Sequence, residues 1–324
     1  MEKKNILLIC GGNSTEHDIS LRSANYIENT IKPLLEYNVV RVAIGKDSIW
    51  RDSTGVQVEL LSNNYLAHDK NKIKIDFAIP CIHGFPGETG DIQSLFEMNN
   101  LPYLGSNSEA SKLCFNKISS KLWFDALSIP NTPYLFLSSM NELNKAKEAM
   151  SQWRTVFVKA SSQGSSVGCY QVTDINNLEN SLQKAFSFSP YVLVEKSLVA
   201  RELEIATYEI DGVLQITDPG EILCPTKFYS FEEKYDNKGQ TTTIVKAENL
   251  NNEIIFKMKE YARKAFTHLK IRHLSRIDFF YTTDHELYLN EINTFPGMTP
   301  ISMFPKMMEA NGHTFSDFIK SNFR

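Results

Sequence analysis

The alternation of apolar and polar residues is clearest from Leu274 to Asn293, where the runs LSRIDFFYT and ELYLNEIN flank a polar break at Thr283–Asp284–His285. Aromatic and β-branched runs around a short polar break predict a β-hairpin. With a four-residue loop, Thr283 to Glu286, Thr282 pairs with Leu287, Asp278 faces Glu291 and Arg276 faces Asn293. Side chains alternate along a strand, so these last four share one face. Two carboxylates about 4 Å apart across a ladder repel by about 4 kcal/mol near a protein surface. A divalent cation between them reverses the sign, and an Asp, Glu and Asn oxygen set suits Mg²⁺. The alternative is a solvated face with an ordinary ion pair, and a one-residue slip separates Asp278 from Glu291.

Upstream, Asn5–Cys10 reads as a buried strand ended by Gly11–Gly12, followed by a helix with Ile19, Ile27, Ile31 and Leu34 at helical spacing. Strands at Val39–Ile44 and Ile75–Ile82 then predict βαβ wrapping on a parallel sheet. A helix starts at Asp91, and another from Ser108 turns Leu113, Leu122 and Leu127 inward. Ile129–Pro130–Asn131–Thr132–Pro133 punctuates the chain as an interdomain crossing. A smaller α+β unit follows: strand Tyr134–Leu137, helix Glu142–Met150, strand Thr155–Lys159, helix Asn176–Phe186 and strand Tyr191–Lys196. From Arg201 to Ile210 alternation gives a strand with one polar face, Glu202 and Glu204 against Leu203 and Ile205. Residues 228–249 hold no sustained period and read as a lid, and helix Glu253–Leu269 leads into the hairpin. The chain is expected to comprise an N-terminal α/β unit (1–107), a central α+β unit (108–198) and a C-terminal α+β unit (199–324).

At 324 residues the chain is long enough for two or three cores. Its 42% hydrophobic and 22% charged residues are those of a globular protein. A net charge of −4 argues against nucleic acid as a partner, and no apolar run reaches membrane-spanning length. Five cysteines without a CxxC indicate neither zinc nor a disulfide framework, and fit a reducing cytoplasm.

Several loops carry candidate chemistry. Glu16 stands near a helix start, where the dipole alone accounts for a carboxylate. CIHGFPGETGD places His83 and three glycines where a strand gives way to a helix, the edge at which open α/β sheets bind ligands. A loop histidine satisfied by backbone is the plainer account of His83. ASSQGSSVG (160–168) joins two strands and so is not a P-loop, but its N–H groups and hydroxyls, beside Lys159, suit a phosphate. Ser302 and Met303 follow the Pro296–Gly297 turn near a helix start, where N–H groups can bind a carboxylate.

Together GGNSTEHDIS, HGFPGETGDIQ, LPYLGSNSEAS with FNK, VKASSQGSSVG, VEKSLVARELE, FYSFEEKY, RIDFF and LNEINTFPGMTPISMFP, in this order from residue 11 to residue 305, resemble the D-alanine–D-alanine ligase family of ATP-grasp enzymes. The resemblance implies an ATP-grasp fold with an N-terminal parallel-sheet domain, ATP lying between the antiparallel sheets of the central and C-terminal domains. It implies that Lys117, Lys159, Ser166, Glu195, Lys196, Leu198, Glu202 and Lys234 bind ATP, and that Asp278, Glu291 and Asn293 hold two Mg²⁺ ions, for which Mn²⁺ can substitute. Glu16 matches the residue that holds the first D-alanine ammonium, with Ser165 and Tyr235 as its hydrogen-bonded partners and His83 close by. Arg276 and the Gly297 N–H match oxyanion stabilisers, and Ser302 and Met303 the site of the second D-alanine carboxylate.

The implied reaction forms an acyl phosphate from ATP and the first D-alanine, which the amine of the second then attacks. A cytoplasmic homodimer serving peptidoglycan synthesis is also implied by likeness alone. Thr89, Ala160, Phe295 and the lid segment TTTIVKAEN depart from the family pattern without removing a named charge. Acceptors other than D-alanine (D-serine or D-lactate) and a catalytically silent nucleotide-binding regulator stay open, although Tyr235 argues against D-lactate.

Overall fold

The structure, a computed structural model, describes residues 3–68, 71–223 and 242–323. The apolar start of the chain forms β1 (Lys4–Gly11), packed by α1 (His17–Ile31) and paired in parallel with β2 (Tyr37–Ile44). β3 (Trp50–Asp52) runs antiparallel to β2. β4 (Val58–Leu61), β5 (Tyr65–His68) and β6 (Asn71–Lys74) make a small antiparallel sheet that hydropathy did not predict, each strand being only four residues long. β7 (Phe77–Cys81) then pairs in parallel with β1, so the predicted parallel core is present in the order β3-β2-β1-β7.

The buried stripe of α1 differs from expectation. Ser20, Ser23, Ala24, Ile27 and Ile31 face the sheet, Ile19 is half-buried and Leu34 lies beyond the helix. Small residues at its start let the helix approach closely. The Ser20 hydroxyl accepts from Gly11 N–H at 2.7 Å and donates to the Cys81 carbonyl, tying helix to sheet edge.

α2 (Asp91–Met98) is followed by α3 (Ser108–Phe115) and α4 (Lys117–Ala126), where a single helix was expected. Asn116, at ψ 106°, breaks the helix and caps α4 by accepting from Ser119 N–H at 3.0 Å. The break rotates the inward stripe onto Ile118, Lys121 and Phe124 and leaves Leu122 51% exposed, against expectation.

The central sheet, in the order β10-β9-β11-β8, is antiparallel throughout. Its strands are β8 (Tyr134–Leu137), β9 (Val156–Ala160), β10 (Cys169–Val172) and β11 (Val192–Lys196). Val156, Val158, Val192 and Val194 pack one face against α5 (Leu143–Trp153) and α6 (Leu178–Phe186), leaving Lys159 and Glu195 on the other.

The C-terminal sheet runs β15-β14-β12-β16-β17, with β13 (Val213–Ile216) beside β12 (Ala200–Ile210). β14 is Gly220–Leu223 and β15 is Thr242–Ile244, so three residues of the expected lid are strand; residues 228–241 of it lie outside the described residues. β12 is central; Leu203 and Ile205 face the core and Glu202 and Glu204 the other side, as expected, although from Leu203 to Tyr208 both faces are buried. Leu203, Ile205, Ile277, Phe279 and Leu289 pack on α7 (Asn252–His268), whose first turn Asn251 caps.

The hairpin β16 (Leu274–Thr282) and β17 (Leu287–Asn293) has the expected register at its base and not at its tip. Asp278 pairs with Glu291 and Arg276 with Asn293, whereas Leu287 pairs with Tyr281 rather than Thr282. A β-bulge after Asp278 reconciles the two, two residues of β17 answering one step of β16. Leu287, Leu289 and Ile292 all reach the core because the bulge shifts the phase by one residue. α8 (Met303–Ala310) and α9 (Phe315–Asn322) return the chain to β1, where Phe323 packs against Tyr37 and Phe77 at ring centroids 5.3 and 4.7 Å.

Candidate active site

The C-terminal sheet carries its charge on the face opposite α7. Glu204, Asp278 and Glu291 pair in succession across β12, β16 and β17, and Arg276 pairs with Ala206 and Asn293. The Arg276 guanidinium forks onto Asp278, Nε to Oδ1 and Nη2 to Oδ2 both at 2.8 Å, with Glu204 Oε1 3.1 Å from Nε. Asn293 Nδ2 donates to Asp278 Oδ2 at 3.1 Å. Burial opposes the arginine charge, but Asp278 and Glu204 raise its pKa well above the ordinary value. Among the described residues no group of three His, Cys, Asp or Glu side chains is arranged as a metal site. The hard oxygens that fit a divalent cation are Asp278, Glu291 and Asn293 on one face, with Arg276 holding the first.

Across from this face stand the lysines. Lys117 opens α4, where its N–H donates to Ser161 O at 2.8 Å; its Nζ donates to Gln163 O at 2.7 Å and lies 3.7 Å from Glu291 Oε2. Lys159 pairs with the Glu195 carboxylate, whose other oxygen is 2.6 Å from Lys121 Nζ. Glu195 and Lys121 are buried, and Lys121 also donates to Thr132 O at 3.1 Å. Burial pushes the Glu195 carboxyl up, yet Lys121 and Lys159 hold it down at about 2. Burial lowers the Lys121 pKa, whereas Glu195 outweighs burial for Lys159 and raises it. The Glu195 side chain is thus engaged by two lysines. Lys196 is exposed at the end of β11, Leu198 half-buried beyond it, and Glu202 lies two residues from Glu204, paired with Phe280 and Ile222.

Glu16 does not act as a helix cap, since its side chain makes no capping bond; it accepts from the Ser165 hydroxyl 149 residues away. A Cβ on Gly164 would lie 2.8 Å from Glu16 Oε2, so the 160–168 loop meets the carboxylate only because Gly164 has no side chain. Ser165 and Ser166 both take positive φ, 47° and 62°, a conformation that costs of order 1 kcal/mol or more for each and clusters at functional sites. His83 is buried, and burial lowers its pKa below the ordinary value. Its Nε2 lies 2.9 Å from Ser23 Oγ, a hydrogen bond between the two side chains. Ser23 Oγ in turn accepts from Met298 N–H at 3.2 Å. Gly297 adjoins Ser302, whose hydroxyl accepts from Thr299 N–H at 3.1 Å at the start of α8.

Glu16 with Ser165, Lys117 with Glu291, Lys159 with Glu195, and Arg276 with Asp278 and Asn293 are therefore brought together, while Lys234 and Tyr235 lie outside the described residues. Sequence reasoning missed Glu88, Lys121 and Glu204. Burial and the neighbouring Glu16 push the Glu88 carboxyl up to about 8, and Gly84 N–H donates to it at 2.8 Å. Its signal was an acid among the glycines of 84–90; that of Lys121 was its spacing four residues after Lys117.

Family models described as D-ala D-ala ligase N-terminus and C-terminus match residues 5–106 and 123–322. The chain belongs to the D-alanine–D-alanine ligase family. A D-alanine–D-alanine ligase of Vibrio atlanticus is 56% identical over 328 residues, covering 100% of this chain and 99% of the relative. The solved D-alanyl-alanine synthetase A of Vibrio cholerae superposes with a TM-score of 0.95 at 52% identity, covering 100% of this chain and 98% of that one. The VanG D-Ala:D-Ser ligase of Enterococcus faecalis is 27% identical with a TM-score of 0.88, covering 99% and 98% of the two chains. These likenesses make the architecture an ATP-grasp fold and the chain an ATP-dependent ligase.

Proposed function

We propose that the chain joins two D-alanine molecules into D-alanyl-D-alanine for peptidoglycan precursors, releasing ADP and phosphate. One observation carries the site assignment: Asp278 and Glu291 oppose each other on the face that also bears Arg276 and Asn293, with Lys117 reaching Glu291 from the facing side. Residues 1–107, 108–198 and 199–324 serve as the first-substrate unit and the two halves of the nucleotide cleft. Glu16, supported by Ser165 and flanked by His83, holds the first D-alanine ammonium. Lys117, Lys159 and Arg276 meet the charge that develops as the first carboxylate attacks the ATP γ-phosphate. Asp278, Glu291 and Asn293 would hold Mg²⁺, which neutralises phosphate oxygens when bound.

The second D-alanine amine then attacks the acyl phosphate. Its carboxylate is held at Ser302 and Met303 on the α8 start, while Arg276 and the Gly297 N–H stabilise the tetrahedral oxyanion. Glu195, Lys196, Leu198, Glu202 and Ser166, with Lys234, complete the nucleotide site, and Tyr235 the Ser165–Glu16 pair. The reading extends to a cytoplasmic homodimer; no helix among the described residues is long and apolar enough to cross a membrane.

The test is phosphate release with Mg²⁺-ATP and D-alanine, D-serine or D-lactate as acceptor, in wild type and Glu291→Gln. D-Alanine alone should support turnover, and the substitution should lower it about a thousandfold, the several kcal/mol a metal supplies. Undiminished turnover in the variant removes the metal assignment. ATP binding without D-alanine-dependent phosphate release points instead to a silent nucleotide-binding protein.

A further inference from the structure

The site face presents three acids in a row, and the third has no task in the reaction above. Glu204 faces Asp278 directly, as Asp278 faces Glu291. Both Asp278 oxygens already carry donors: Oδ1 that of Arg276 Nε, and Oδ2 those of Arg276 Nη2 and Asn293 Nδ2. Three of the about four lone-pair sites of the carboxylate are thereby taken, and the guanidinium seated in the fork repels a divalent cation. The fork therefore has to open before Asp278 can ligate metal. The Arg276 side chain is only 22% exposed, and a buried cation stripped of its partner is costly.

Glu204 solves this geometrically. Its side chain is 7% exposed and Oε1 already lies 3.1 Å from Arg276 Nε. The residue opposite Arg276 on β12 is Ala206, whose methyl leaves the diagonal between Arg276 and Glu204 open. Glu291 is turned toward Lys117. We infer that Glu204 is a positioning residue that takes over Arg276 when Asp278 turns to the metal, so that the ligand is released and the guanidinium stays beside the reacting phosphate. This rests on the assignment of Asp278 as a metal ligand.

The experiment is titration of the ADP-bound protein with Mn²⁺, free Mn²⁺ being read by electron paramagnetic resonance, in a double-mutant cycle of Glu204→Gln and Arg276→Gln. Glu204→Gln should weaken Mn²⁺ binding about tenfold, the low end of what residues supporting metal ligands contribute. In the Arg276→Gln background, where no fork exists, the same change should move the affinity less than about twofold. A tenfold effect in both backgrounds overturns the inference, because Glu204 is then only a nearby charge; no effect in either overturns it as well. Asp278→Asn separates the two layers. If it leaves Mn²⁺ binding intact, the metal assignment fails; if it abolishes binding while Glu204→Gln changes nothing, only the present inference fails. Should Glu204→Gln not fold, Glu204→Asp carries the test through a carboxylate set farther from Arg276, and wild-type Mn²⁺ affinity there overturns it.

Discussion

Two ionic clusters meet the cleft from facing sheets, and their charges balance differently. On the central sheet one carboxylate, Glu195, serves two lysines, Lys121 and Lys159, leaving one positive charge in excess. On the C-terminal sheet three carboxylates, Glu204, Asp278 and Glu291, surround one guanidinium, leaving two negative charges in excess. The first is complementary to phosphate oxygens and the second to a divalent cation. A metal–nucleotide complex presents both signs, so on the proposed assignment each sheet would be completed by a different part of one ligand. The lysine cluster is paired within the protein, whereas the acid cluster carries repulsion of about 4 kcal/mol for each unneutralised pair at close range.

The comparison breaks most severely at Glu195. Replacing it with Gln leaves two buried lysines without a counter-charge and should lower stability by about 3 kcal/mol or more, read as a lower urea midpoint. An unchanged midpoint would mean that water or the backbone already satisfies Lys121 and Lys159. Removing an acid from the other cluster should act with the opposite sign. Without metal, Glu291→Gln relieves repulsion and should raise stability by about 1 kcal/mol, a gain that Mg²⁺-ADP reverses by binding wild type more tightly. A destabilised variant would show that the Lys117 pair outweighs the acid–acid repulsion.

Glu88 offers the most specific test, because it answers an acid surplus by holding a proton instead of a cation. Its folded pKa of about 8 lies above the ordinary carboxylate value of 4.5, through burial first and Glu16 second. The folded state then binds the extra proton, so this contribution is complete below about pH 4.5 and is lost as pH rises toward 8. Thermal melts from pH 5 to 8 should fall more steeply for wild type than for Glu88→Gln; parallel slopes would place the proton elsewhere.

The acid cluster was largely legible in the chain, and the lysine cluster was not. Strand alternation put Arg276, Asp278, Glu291 and Asn293 on one face, and pairing at the hairpin base followed from the loop length assumed. The tip was misread, although Leu287, Leu289 and Ile292, spaced two and then three, announce a phase shift. Lys121 and Glu195 are buried only because α4 restarts at Asn116 and turns that side inward, a rotation that apolar periodicity read as continuous could not show. Glu204 read only as part of the polar face of β12, and its burial was not legible, since sheet order decides which strand is central and a single strand does not encode it. The strands of 58–74, four residues each, are too short for alternation to be read locally.

One hydroxyl has a consequence for how the two amino-acid substrates would be held. Ser23, on the first helix, contacts both the imidazole at 83 and the amide at 298. On the proposed assignment, the wall beside the donor amino acid and the loop leading to the acceptor's carboxylate would thus be pinned at a single point on the first helix.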